Sequence, residues 1–159
     1  MKHYKAPWST AIIVISFLAT AIFIAGSLGL AWSGSHWLAL LPLAFIFGSA
    51  LFTIRGYTTS PDAVLVHRLL WSTRLPLTGL QSAQFVPDAM RGSLRTFGNG
   101  GWFCCTGFFW NRRLGSFRAF VTDQRQTVVL RYPKRTVVMS PITPEEFVRD
   151  LEGVGHSAQ

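Results

Sequence analysis

The stretch R-T-F-G-N-G-G-W-F-C-C-T-G-F-F-W-N-R-R-L-G-S-F-R-A-F, residues 95–120, decides the fold. Glycines at 98, 100, 101, 107 and 115 interleave with aromatic rings. Aromatic side chains suit a pleated, half-buried strand. Asn and Gly suit a tight turn because both tolerate positive φ. The pattern predicts two strands, residues 102–110 and 116–122, around a turn at 111–115. This is the central hairpin of a small β-domain.

Other strands fall to either side of it. Residues 63–68, 71–77 and 81–86 alternate or run apolar before it, and the glycine-rich segment 88–101 between reads as a loop. Residues 127–132 and 135–140 follow, joined at Pro133-Lys134. The period then changes. Thr143-Pro144-Glu145-Glu146 is a capping box with proline at the first helical position. Phe147, Val148 and Leu151 form one apolar stripe, and Gly153 and Gly155 are expected to end the helix near 152. The expected class is α+β. About seven antiparallel strands form a barrel or sandwich over residues 56–152, capped by a C-terminal helix at 144–152, with 153–159 as a tail.

Residues 1–55 read differently. No residue from 8 to 32 is charged, and tryptophans stand at both ends of that run. A second uncharged run covers 37–54 after a four-residue connection. About 20 apolar residues span a bilayer as a helix, so the two runs predict an antiparallel transmembrane hairpin. Small residues at Ala21, Ala25 and Gly29, and at Ala44 and Gly48, have the spacing that lets helices approach closely. Lys2 and Lys5 precede the first run, Arg55 follows the second, and the connection has neither Lys nor Arg. The positive-inside rule then places both termini in the cytoplasm of a multi-pass inner-membrane protein.

All seven acids lie beyond residue 60, and the net charge is +8. The two cysteines are adjacent, at 104 and 105. On a strand, adjacent side chains point to opposite faces, which suits neither a disulfide nor a metal site. The histidines at 3, 36, 67 and 156 are scattered, and no phosphate-binding loop occurs. These features predict no catalytic group, no cofactor and no metal. The aromatic cluster reads as packing rather than as a stacking platform for bases, so no nucleic acid is expected.

Four segments resemble the bacterial PH-like (pleckstrin-homology-like) domain family of small membrane proteins. They are L-P-L-T-G-L-Q-S at 75–82, R-T-F-G-N-G-G at 95–101, W-N-R-R-L-G-S-F-R-A-F-V-T at 110–122 and M-S-P-I-T-P-E-E-F at 139–147. The resemblance implies a cytoplasm-facing, membrane-anchored module without chemistry of its own, an accessory or scaffold subunit. Phosphoinositide binding does not follow, because the connection near Arg68–Trp71 is too short for such a pocket. A protein partner bound at sheet edges or aromatic grooves is the expected function. The alternative is contact with anionic lipid headgroups through Arg91, Arg95, Arg112 and Arg113.

Overall fold

A computed structural model describes the backbone of residues 2–156 and the side chains as far as Glu152. Strand β1 (Lys2–Lys5) comes first, followed by helices α1 (Thr10–Trp32) and α2 (Leu40–Leu51). Nine strands follow: β2 (Ile54–Thr59), β3 (Ala63–Arg68), β4 (Ser72–Pro76), β5 (Ser82–Phe85), β6 (Leu94–Gly100), β7 (Cys105–Asn111), β8 (Gly115–Val121), β9 (Val128–Tyr132) and β10 (Arg135–Met139). Helix α3 (Pro144–His156) closes the chain.

The strands form two sheets, β1-β2-β3-β4 and β5-β9-β10-β8-β7-β6. Tyr57, Val64, Val66 and Leu75 from the first sheet share a core with Phe120, Val128, Leu130, Val137 and Met139 from the second. Phe147 and Leu151 of α3 enter the same core. Their i, i+4 spacing puts both on one helix face. The other face of the six-stranded sheet buries Phe109, Phe117, Ala119 and Val121 beneath Ile12 of α1 and Ala89 and Met90.

The central hairpin forms as β7 and β8, with Cys105 opposite Val121 and Asn111 opposite Gly115. Its turn closes through Asn111, whose Oδ1 accepts from the backbone N–H of Arg113 (3.1 Å) and Leu114 (2.7 Å). Gly115 takes φ +68° there.

The structure differs from the sequence expectation in five places. The supposed loop at 88–101 contains strand β6, paired to β7. Gly98 and Gly107 lie directly opposite each other, and this close approach lets a glycine-rich segment form a ladder. Lys2–Lys5 forms a strand along β2, with Tyr4 opposite Tyr57. Its partner β2 (Ile54–Thr59) is likewise outside the expected strands, so the described residues hold ten strands rather than about seven. They are not wholly antiparallel, because β10 runs parallel to β8 while the β9–β10 hairpin fills the space towards β5. Helix α3 also passes Gly153 and reaches His156, and residues 157–159 of the expected tail lie outside the described residues.

The fifth difference concerns the apolar hairpin. Helix α1 has 23 residues, about 35 Å, and is long and apolar enough to cross a membrane. Helix α2 has only 12, about 18 Å, so among the described residues one helix meets the length of a span. The two helices meet where Phe23 stacks on Phe45, centroids 5.3 Å apart, and where the Ser27 hydroxyl donates to the Ala39 carbonyl. A Cβ added at Gly29 or Gly48 would meet nothing within 4 Å, so neither glycine sits at a close helix contact.

Candidate functional site

The helices fix a direction for the domain. The backbone N–H of Ser9, just before α1, donates to the Thr122 carbonyl (3.1 Å), and β2 begins at Ile54, just after α2. The ends of β7 at Cys105 and of β8 at Val121 therefore lie at the root of the hairpin. The β7–β8 turn lies at the opposite end, about 20 Å away along a seven-residue strand.

Strand β6 is a free edge of the larger sheet. Its pairing with β7 sets Leu94 opposite Trp110 and Phe97 opposite Phe108. These four side chains are 66%, 42%, 75% and 52% exposed, respectively. An edge strand with exposed apolar cross-strand pairs offers unpaired backbone groups and a hydrophobic surface together. Exposed edges of this kind are where extended peptides add in strand-addition complexes.

Basic residues surround it. From Ala89 to Thr122 there is no Asp or Glu, and arginines stand at 91, 95, 112, 113 and 118. Asn111 Nδ2 donates to the Ala89 carbonyl and the Ser93 hydroxyl, both at 2.9 Å. That ties the loop holding Arg91 to the turn holding Arg112 and Arg113. Arg95 lies on β6, opposite Phe109. The four arginines singled out from sequence are thus exposed, with three gathered at the end away from the helices and Arg95 on the neighbouring edge. Arg118 covers Phe108, with its guanidinium 5.8 Å from the ring centroid.

Arg68 gave no signal in the sequence. It is 8% exposed, under the end of α2. Its NH2 donates to Thr106 Oγ1 (3.0 Å) and its NH1 to the Phe52 carbonyl (3.4 Å), while its buried Nε has no partner. The rings of Phe52, Trp71 and Phe120 lie 5.4–5.6 Å from the guanidinium carbon. Such faces stabilise a cation through the ring quadrupole. Burial lowers the pKa of this group. The arrangement joins α2, β3, β7 and β8.

The reactive side chains are held quiet. Burial pushes the Cys104 thiol up to about 12, and Cys105 is raised for the same reason. A thiol attacks as its thiolate, so both are poor nucleophiles at neutral pH. Tyr57 is likewise raised by burial, to about 12. The histidines are less scattered than the sequence suggests. His3 and His67 lie 5.7 Å apart across β2, both hydrogen-bonded to the Thr58 hydroxyl. His67 Nδ1 also meets the Ser72 hydroxyl at 2.9 Å. The signal that would have revealed this cluster is the β1–β2 pairing. Among the described residues no three His, Cys, Asp or Glu side chains are grouped to hold a metal ion.

Comparison with curated proteins and with solved structures finds no match. A family model described as bacterial PH domain matches residues 55–155. That range holds β2 from its second residue, β3 to β10 and nearly all of α3, and leaves β1 outside. Two sheets enclosing one core, with a C-terminal helix packed into it, agree with that match, and the chain belongs to the bacterial PH domain family.

Proposed function

We propose that this chain is a membrane-anchored interaction module that binds a protein partner beside a bacterial inner membrane. Membership of the PH family supports an interaction role without catalysis. Helix α1 supplies the anchor. The second apolar run supports a return crossing, because backbone hydrogen bonds of helical spacing continue from Ser35 to Leu41 before the middle of α2 and to Thr53 after it. Lys2, Lys5 and Arg55 on the domain side, with no Lys or Arg in the connection, favour a cytoplasmic domain and termini. We divide the chain accordingly into an anchor between β1 and β2 and a PH-like domain from residue 54 to the end of α3, with β1 at the edge of its smaller sheet.

The observation that carries the reading is the exposed pairing of Leu94 with Trp110 and Phe97 with Phe108 on a free sheet edge. Arg118 covers Phe108, and Arg112 and Arg113 lie at the end of this patch without acids, so the partner presents an extended apolar segment flanked by carboxylates. The same arginines could meet anionic headgroups. Their position at the end away from the helices favours a partner over the anchoring bilayer.

The test is co-purification of the full-length protein from native membranes in mild detergent. The double variant Phe97→Asp, Phe108→Asp should lose the captured protein while still entering the membrane. Capture that persists unchanged in this variant removes the patch from the proposal. If Arg112→Glu, Arg113→Glu instead abolishes binding to anionic vesicles, the headgroup reading replaces it.

A further inference from the structure

Two loops at the root of the hairpin carry apolar side chains that the core does not use. The β3–β4 turn is Leu69-Leu70-Trp71, with exposures of 45%, 71% and 40%. Tight turns are ordinarily built from Gly, Asn, Asp and Ser. Trp71 meets Phe52 edge-on at 5.3 Å, and Phe52 is itself 44% exposed. The second loop is the β6–β7 tip, Trp102-Phe103. Its indole Nε1 donates to Thr20 Oγ1 (3.3 Å), and its ring lies 4.8 Å from Phe23 and 5.3 Å from Phe45. The N–H of Phe103 donates to Ser16 Oγ (2.8 Å). Phe103 holds φ +62°, a left-handed conformation that is costly for an aromatic residue and persists only where its surroundings enforce it.

These ties fix a depth. Thr20 lies ten residues into α1, so Trp102 sits about 15 Å along the helix from its start. From Ser16 to Trp32 the helix rises about 24 Å, a little less than the roughly 30 Å of a hydrocarbon core. Trp32 and Trp37, 95% and 72% exposed, mark the far end of that distance. Phe103, tied to Ser16, marks the near end; Trp102, tied to Thr20, lies about 6 Å further along the helix, and Trp71 stands beside Phe52 at the end of α2. Aromatic residues gathered at two levels along a span are characteristic of the two membrane–water interfaces. No residue from Thr96 to Asn111 is charged, and none from Leu69 to Thr73.

We propose that the β3–β4 turn and the β6–β7 tip are seated in the interfacial layer of the bilayer, so that the domain rests on the lipid surface by its own strands. The inference rests on α1 spanning the membrane. Once it does, the hydrogen bonds to Ser16 and Thr20 carry the tip to the same depth. The occupant of this surface is therefore lipid rather than another protein. The surface is separate from the β6–β7 patch, whose Trp110 lies at the other end of β7.

The experiment uses the full-length protein in phosphatidylcholine/phosphatidylglycerol vesicles. Single-tryptophan variants keep Trp32, Trp71, Trp102 or Trp110, with the other five tryptophans replaced by Phe. Phospholipids brominated near the carbonyl end of the acyl chain quench from the membrane, and acrylamide quenches from water. Trp32, Trp71 and Trp102 should each lose emission about two-fold in brominated lipid, and Trp110 should respond only to acrylamide. Should Trp32 be quenched by lipid while Trp71 and Trp102 answer only to acrylamide, the inference fails and the anchor stands. Trp32 unquenched by lipid overturns the anchor and the inference together. Trp71 and Trp102 shielded from both quenchers would show protein covering the loops, which also overturns it. A nitroxide at Leu70→Cys gives a second reading that leaves every tryptophan in place, because Cys104 and Cys105 are buried. It should collide with dissolved oxygen more than with an aqueous nickel chelate, and the reverse order contradicts the proposal.

Discussion

Tyr57 carries its hydroxyl through the middle of the core. It donates to the Phe120 carbonyl (2.7 Å) and accepts from the Ser140 N–H (3.3 Å). Ser140 Oγ accepts in turn from the N–H of Thr122 (2.8 Å) and of Asp123 (3.2 Å). Tyr57→Phe leaves a buried carbonyl and a buried N–H with fewer partners, so it should cost about 1–3 kcal/mol, read from the urea midpoint of the detergent-solubilised protein. Asp150 makes a second residue-scale link. It accepts from Lys2 Nζ (2.8 Å) and the Tyr4 hydroxyl (2.6 Å), and these bonds hold its carboxyl below the usual range. A depressed carboxylate contributes stability above its unfolded pKa of about 4 and loses it as pH falls through the lower folded value. Lys2 is exposed, so the pair is worth under about 1 kcal/mol. Amide exchange at Tyr4 should accelerate as pH drops below about 4, relative to the intrinsic rate, and Asp150→Asn should flatten that dependence. Neither link was legible in the sequence, because the partners of Asp150 lie about 146 residues away.

At the scale of elements, strands with regular alternation were read closely. Residues 63–68 form β3 as expected, and the central hairpin appears within a few residues of its expected bounds. Strand β6 was missed because glycines in sequence argue for a loop. In space, Gly98 and Gly107 take φ +114° and +134° and face each other. A Cβ on Gly107 would stand 2.2 Å from the Phe97 carbonyl oxygen. Gly107→Ala should therefore destabilise the β6–β7 ladder by about 2–4 kcal/mol. Hydrogen exchange should report this locally, with β6 amides opening and β9–β10 unaffected. The C-terminal helix was expected to stop at Gly153, yet Gly153 lies inside it, where an added Cβ would meet nothing within 4 Å. A glycine weakens a helix by about 1 kcal/mol but does not end one unless the chain turns there.

At the scale of the molecule, the apolar helical hairpin is inserted into a sheet rather than attached to its end. Strand β1 precedes α1 and pairs with β2, which follows α2. Tyr4 is 5% exposed and meets Phe147 edge-on at 5.2 Å, so the first residues lock the last helix. The two helices thus join the domain through two covalent connections whose strands pair with each other, which predicts little hinge motion between helices and domain. Four basic and polar residues before an apolar run read as a membrane flank, and only pairing in space reveals a strand. The candidate site was legible in part. The arginines at 91, 95, 112 and 113 were singled out, but the apolar face they border was assigned to the core, because its exposure depends on β6 being an edge.

The central claim is that this face binds a protein. The most direct measurement places a photo-crosslinking phenylalanine analogue at Phe97 of the full-length chain in native membranes. We expect one protein adduct of fixed mass that disappears with Arg95→Glu, Arg112→Glu. Adducts to lipid alone, or a protein adduct indifferent to those charge reversals, would contradict the account.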